Sequence, residues 1–408
     1  MLELTRLLYA RDEVEASLLF ALLNKKTIEE CLFWTNELVW SGYDIRPFLW
    51  CVYFDFYAQH NPSFERKMLR KLQQFYDGNL NALFVVIKSL RLLKCSDNVF
   101  SLRLSKVPES VTIYRGRTPK WLLAYDKECR AFARASSSLN WKQLILAWHN
   151  KSLTPLKMLK TFIGGLRESS VLPKSVQLED SMIEELWYKN LSPLMDESHR
   201  VLATMVSLLT DESEIENNCK MIALNNSEND YLRALYAPVP LTEGGNKQTH
   251  DTLLYKRHFK IDSQIGCFRL QRYETYDFRS AIVYKWALHA SNSPFWQEIF
   301  RQYQITLNTN GDLCFQNDIN DERLESFSDD YGYVFELDDP RQKLAMEQGW
   351  ADVEDERDVV DVIDEIFSNA DDLRMEFDDL EIEVNKKTYE KRCDVFTFDK
   401  LKMILDTI

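Results

Sequence analysis

The chain has 408 residues, enough for two or three domains, and 45% of them are apolar and 12% aromatic, which excludes a chain disordered throughout. Gly and Pro contribute 11 residues each, so collagen-like, linker-like and turn-dense all-β readings lose ground to a helix-rich one. The formal net charge of −14 is spread unevenly: residues 61–174 carry 21 Lys/Arg against 7 Asp/Glu, and residues 312–383 carry 5 against 26.

The N-terminus opens on Leu4, Leu7, Leu8, Leu18, Leu19 and Leu22 at helical spacing. Thr27-Ile28-Glu29-Glu30 is a capping-box pattern, and Gly42 after Trp40-Ser41 is a helix stop. Pro47 begins an aromatic helix that Asn61-Pro62 breaks. Phe64–Tyr76 and Asn79–Leu93 read as two helices around an Asp77-Gly78 turn, and Val99–Leu104 as a short strand. Thr118-Pro119 and Thr154-Pro155 each place a cap before a proline at the first helical position. Trp141, Leu144, Ile145 and Trp148 form a core stripe, and Gly164-Gly165 ends the helix begun at Pro155. Further helices fit Glu179–Lys189, Leu194–Leu209 and Asp230–Tyr236.

The pattern then changes. Residues 237–250, rich in Pro and Gly, read as a linker. Tyr255–Arg272 alternates like a hairpin, helices follow at 275–291 and 294–303, and Asn310-Gly311 between two alternating runs signals a second hairpin. A helix opens at Asp339-Pro340, and residues 351–381 form an acidic stretch with spaced Val and Ile. The expected fold class is therefore α+β. A mainly α-helical N-terminal domain (1–236), an irregular helical array containing the basic segment, precedes a smaller α+β domain with hairpins (251–408) containing the acidic one.

Eight cysteines lie far apart with no C-x-x-C pair, which argues against structural zinc and against a disulfide framework. The first residues lack a secretory pattern and no apolar run approaches the ~18–20 residues of a membrane span, so the expectation is a cytoplasmic protein without membrane insertion. Phosphate-loop, dinucleotide, nucleophile-elbow and zinc-protease motifs are missing, and the six histidines are isolated; no catalytic residue and no cofactor is assigned.

Two clusters carry candidate chemistry. Arg115, Arg117, Lys120, Trp121, Tyr125, Arg130 and Arg134 interleave cations with aromatics, as in surfaces that stack bases and hold phosphates. The alternative for the same residues is a helix with aromatics in the core and cations reaching to water. Asp318, Asp321, Glu322 and Glu325 form the best candidate carboxylate set for a divalent ion, although Arg323 stands where an EF-hand loop needs glycine. A solvated acidic face explains the same residues.

The stretches Trp34–Gly42, Trp50–Ala58 and Asn61–Glu65, with Trp286–Ser291 and Ser293–Trp296, resemble uncharacterised proteins encoded by large nucleocytoplasmic DNA viruses. The resemblance covers under a tenth of the chain. It implies a product made in an infected cell, in the cytoplasm or the particle, and brings no catalytic residue.

The functional expectation is a non-enzymatic interaction or scaffold protein, with protein partners held by a helical surface and by oppositely charged patches. A nucleic-acid-binding accessory factor and a carboxylate-metal enzyme are the alternatives.

Overall fold

The structure, a computed structural model, describes residues 3–105, 118–169, 180–189, 192–236, 259, 261, 285–309, 311–315 and 321–331. In chain order the helices are α1 (Arg11–Leu23), α2 (Ile28–Trp40), α3 (Ile45–Val52), α4 (Phe64–Tyr76), α5 (Leu80–Leu92), α6 (Asn98–Leu104) and α7 (Arg130–Ser137). They continue as α8 (Trp141–His149), α9 (Pro155–Ser169), α10 (Asp180–Lys189), α11 (Glu197–Ser207), α12 (Asn226–Tyr236), α13 (Pro294–Gln302) and α14 (Asp321–Tyr331). A π-helical turn spans Tyr53–Tyr57, and short 3-10 turns span Lys120–Ala124 and Glu212–Glu214. Strands β1 (Ile305–Leu307) and β2 (Leu313–Phe315) pair antiparallel, Thr306 opposite Cys314. Among the described residues the fold is mainly helical with one small antiparallel sheet, the α+β class that the sequence pattern indicates.

Contacts gather the chain into two units, Met1–Ile45 with Ile222–Ile366, and Arg46–Met221 with Phe367–Ile408. The expected linker 237–250, nearly all of the Tyr255–Arg272 hairpin, and the stretches at 339–349 and 351–381 lie outside the described residues.

In the first unit, residues 3–10 are not helical as their leucine spacing suggests. The chain doubles back, with Thr5 N–H donating to Tyr9 O at 2.8 Å and Leu8 at φ 61°. Leu4, Leu7 and Leu8 are still buried, because a turn can place the same side chains inward as a helix can. Glu37 fixes this turn to α2: its fully buried carboxylate accepts from Arg6 Nη2 at 2.7 Å and from Leu7 N–H at 3.1 Å. The Thr27 hydroxyl caps α2 through Glu30 N–H at 3.3 Å. At the other end Gly42 N–H reaches Val39 O at 3.0 Å and Tyr43 N–H reaches Leu38 O at 3.1 Å, a Schellman closure. Gly42 sits at φ 77°, and a Cβ there would lie 2.5 Å from the ring of Pro294, so both conformation and space require glycine. Asn225 and Glu228 form a reciprocal capping box on α12, with N–H to carboxylate and N–H to amide oxygen at 2.7 and 2.8 Å. Trp296 at the start of α13 is fully buried and centres an aromatic cluster with Trp286, Phe300 and Tyr331.

In the second unit, α4 and α5 form a helical hairpin closed by Gly78 at φ 96°. Residues 99–104 are helix α6 and not the strand that their apolar run suggests. Every residue from Asn98 to Leu104 is buried, so no polar face exposes the helical period, and the Asp97 carbonyl opens the helix by accepting from Ser101 N–H at 2.8 Å. Helix α9 likewise runs through Gly164-Gly165 to Ser169. Gly165 lets α9 approach α7: a Cβ there would lie 2.5 Å from Ala133 O and 2.6 Å from Ser136 Cβ. Gly165→Ala should therefore cost about 1–3 kcal/mol by overpacking, despite the ~1 kcal/mol advantage of alanine in a helix. Urea denaturation showing equal or greater stability for the variant would rule out this close approach.

Candidate functional site

Arg115 and Arg117 of the cation–aromatic cluster lie outside the described residues. Lys120 is exposed at the start of the Lys120–Ala124 turn, whose one buried anchor is Leu122. Trp121 is half-buried and meets Tyr125 edge-on, ring centroids 6.1 Å apart. A Cβ on Gly164 would fall 2.0 Å from the Tyr125 hydroxyl, so that phenol rests on the backbone of α9. Arg130 donates from Nε to the Tyr125 carbonyl at 3.0 Å and so closes its own turn, while Arg134 is half-buried on α7. Asp126 and Glu128 are exposed in the same stretch and hold Lys157, whose Nζ lies 3.1 Å from Asp126 Oδ2. Donor atoms of Asp126, Glu128 and the buried Cys129 come within 4.8 Å of one another, yet the Lys157 ammonium already bridges the two carboxylates. Those carboxylates raise the pKa of Lys157 through hydrogen bonds.

Of the carboxylate set, Asp318 lies outside the described residues. Asp321 opens α14, and Glu322 and Glu325 are exposed along it with Asp329. Among the described residues the one metal-like gathering is that at Asp126, which does not include them.

A cleaner cationic surface lies on α4. Phe64, Met68 and Leu72, at i, i+4 and i+8, are its buried side. Arg66 and Arg70 are exposed, and among the described residues no carboxylate pairs with either. Lys71 donates to Gln74 at 2.9 Å, and Lys67 to the carbonyl of Cys219. The helix's sole acid, Glu65, is engaged by Arg200 at 2.6 Å. Nothing in α4 neutralises its solvent side. The sequence signal is Arg66-Lys67 repeated as Arg70-Lys71, one helical turn and a fraction later.

The second unit also holds a cavity of about 660 Å³. One wall is the π-helical turn (Tyr53, Phe54) with Ala58, Pro62 and Glu65; the other is the end of α11 (Ala203, Thr204, Ser207) and the loop from Leu208 to Asn217. The turn forms where an aromatic run is buried on all sides: Tyr53 through Tyr57 are all buried, and Ala58 N–H bonds Tyr53 O at 2.8 Å, five residues back. Such insertions concentrate at functional sites. Asp55 within the turn takes a two-pronged bond from Arg103 (Nε 2.9 Å, Nη2 2.6 Å). The Tyr53 hydroxyl donates to Asn61 O at 3.0 Å, and burial pushes its pKa well up.

At the cavity, burial raises the Glu65 pKa while Arg200 pulls it down. Arg200 is itself placed by Nη1 on Trp187 O at 2.8 Å, with its guanidinium 4.3 Å over the Trp187 ring. Asp211 Oδ1 accepts from Ser213 N–H at 2.8 Å and from its hydroxyl at 2.7 Å, which lowers the Asp211 pKa. His60, in the strand of chain between Ala58 and Pro62, is fully buried, and its Nδ1 is 3.9 Å from Glu214 Oε2. Burial first, then the charge of Lys94, depress its pKa.

The residues behind the viral resemblance are structural in these surroundings. Trp34 and Leu38 are core residues of α2, and Trp50 through Tyr57 build the π-turn wall. Comparisons with protein families, with curated proteins and with solved structures find no match to this chain. Among the described residues, no helix is long and apolar enough to cross a membrane.

Proposed function

We propose that the chain is a non-enzymatic interaction protein whose helical unit holds a nucleic-acid backbone along the solvent face of α4. The observation that carries this reading is the segregation of α4: an apolar stripe inward, and Arg66, Arg70 and Lys71 outward with no carboxylate among them. Cations at i and i+4 are ~6 Å apart along a helix, and a duplex offers a charge every ~1.7 Å of its axis, so a phosphate is always within reach. Such contacts are indifferent to sequence and gain their free energy from released counterions. The aromatic pair Trp121 and Tyr125, with Lys120, would extend the surface to unpaired bases.

Three phosphate contacts predict a slope of about −2.7 in log affinity against log salt, a loss of about 40-fold between 50 and 200 mM. Filter binding with DNA and RNA of mixed sequence measures it. Arg66→Gln with Arg70→Gln should flatten the slope by about 2 while leaving the buried face of α4 intact. Salt-independent binding, an unchanged slope in the double variant, or no binding at low salt would each reject the reading.

A second reading rests on α14. Glu322, Glu325 and Asp329 face solvent there, in the acidic segment, and suit a basic protein partner. On either reading, the viral resemblance would place the protein in an infected cell.

A further inference from the structure

We propose that the cavity between the π-helical turn and the end of α11 binds a small organic cation, an ammonium group carried on an apolar body. At about 660 Å³ the space lies in the range of small-molecule sites. The charged residues that line it have one sign: Glu65, Asp211 and Glu212, with no Lys, Arg or His. Arg200 engages Glu65 through Oε1 alone, and among the described residues Oε2 accepts no hydrogen bond. Arg200 is occupied twice more, by Trp187 O and by the Trp187 ring, which holds the Glu65 carboxylate in place without closing the cavity. Asp211 is kept ionised by its two bonds from Ser213.

The remaining lining matches the apolar half of such a ligand. Tyr53 and Phe54 back this wall with rings that are themselves fully buried. Leu208, Leu209 and Ile215 supply aliphatic contact. A carboxylate or phosphate entering this space would lose its hydration against like charge, whereas an ammonium would exchange water for carboxylate.

Matched indole derivatives test the charge rule on the full chain by calorimetry: tryptamine (amine), tryptophol (alcohol) and indole-3-acetate (carboxylate). Tryptamine should bind at least about tenfold more tightly than tryptophol, and indole-3-acetate should give no heat at ~1 mM. Asp211→Asn with Glu212→Gln keeps the acceptor for Ser213 and should narrow the amine's advantage to about threefold, the part left to Glu65. Ala203→Phe, which fills the cavity, should abolish binding of all three, with circular dichroism confirming the fold of each variant. The proposal is overturned if tryptamine gives no heat, if the carboxylate binds as tightly as the amine, or if the doubly neutralised variant keeps the tenfold preference.

Discussion

Asp55→Ala is expected to destabilise the helical unit by about 3–5 kcal/mol, among the largest losses any single side chain in it should cause. Asp55 and Arg103 are almost wholly buried, with side-chain exposures of 4% and 8%, and are joined by two short parallel bonds. Removing the carboxylate takes both of these bonds from a buried guanidinium, which also lies 5.5 Å from the Phe100 ring. A surface ion pair would cost under ~1 kcal/mol, so burial decides the magnitude. The pair also fixes the register of the π-helical turn, because Asp55 is its central residue. The double change Asp55→Leu with Arg103→Met should recover most of the loss, since apolar groups of similar size can replace a buried pair at little cost. Guanidinium denaturation of the three proteins gives the comparison. A single-variant loss under ~1.5 kcal/mol, or a double variant no better than Asp55→Ala, would show that the pair is solvated.

How far the sequence discloses this structure depends on whether each signal is local. The Thr27 cap, the Ser41-Gly42 stop and the hairpin that pairs β1 with β2 are set by a few neighbouring residues, and all appear where the sequence places them. Thr154-Pro155 starts α9 as expected. The failures are cases where tertiary surroundings decide. Val99–Leu104 alternates apolar residues with Ser101 and Arg103 as a strand would, but α6 is enclosed and buries those two as well, so no polar face marks the helical period. Gly164-Gly165 looks like a stop, but Gly165 serves the crossing of α7 and α9, knowledge that lies about 30 residues away in Ala133 and Ser136. Leu4, Leu7 and Leu8 satisfy the burial a helix would give while the backbone turns back at Leu8.

The functional surfaces divide the same way. The α4 cation face is a repeat within eight residues and could have been named from sequence. The cavity could not, because its walls come from residues 53–65 and 203–217. One faint signal existed: Glu65 is the single acid in a helix otherwise basic, and isolated acids in such a helix invite a distant arginine, here Arg200. For the Lys120–Arg134 cluster the sequence showed the cations and aromatics but gave no weight to Asp126 and Glu128. In space these two tie Lys157 and make that turn less basic than its composition.

Trp296→Ala should cost the first unit about 3–5 kcal/mol, the range for emptying a large aromatic site. Trp296 is fully buried, and its ring centroid lies 4.9 Å from that of Trp286, 5.3 Å from Phe295, 5.6 Å from Tyr331 and 5.9 Å from Phe300. Four rings thus lose a partner at once, and aromatic pairs contribute ~0.5–1.5 kcal/mol each beyond their buried area. The indole N–H reaches Thr5 O at 3.4 Å, too long to contribute much, so packing and not hydrogen bonding should set the loss. Trp296→Phe separates the two terms: it deletes the N–H and keeps a ring, and should cost well under half as much. Both α13 and the Leu4–Ala10 turn pack against this residue, the fully buried Thr5 lying 3.4 Å from its indole ring. Hydrogen exchange at Thr5 and Leu8, whose amides bond Tyr9 O and Thr5 O, should therefore accelerate in Trp296→Ala and stay near the parent rate in Trp296→Phe. Equal losses in the two variants would assign the stability to the indole N–H, and unchanged exchange in Trp296→Ala would detach the N-terminal turn from this core.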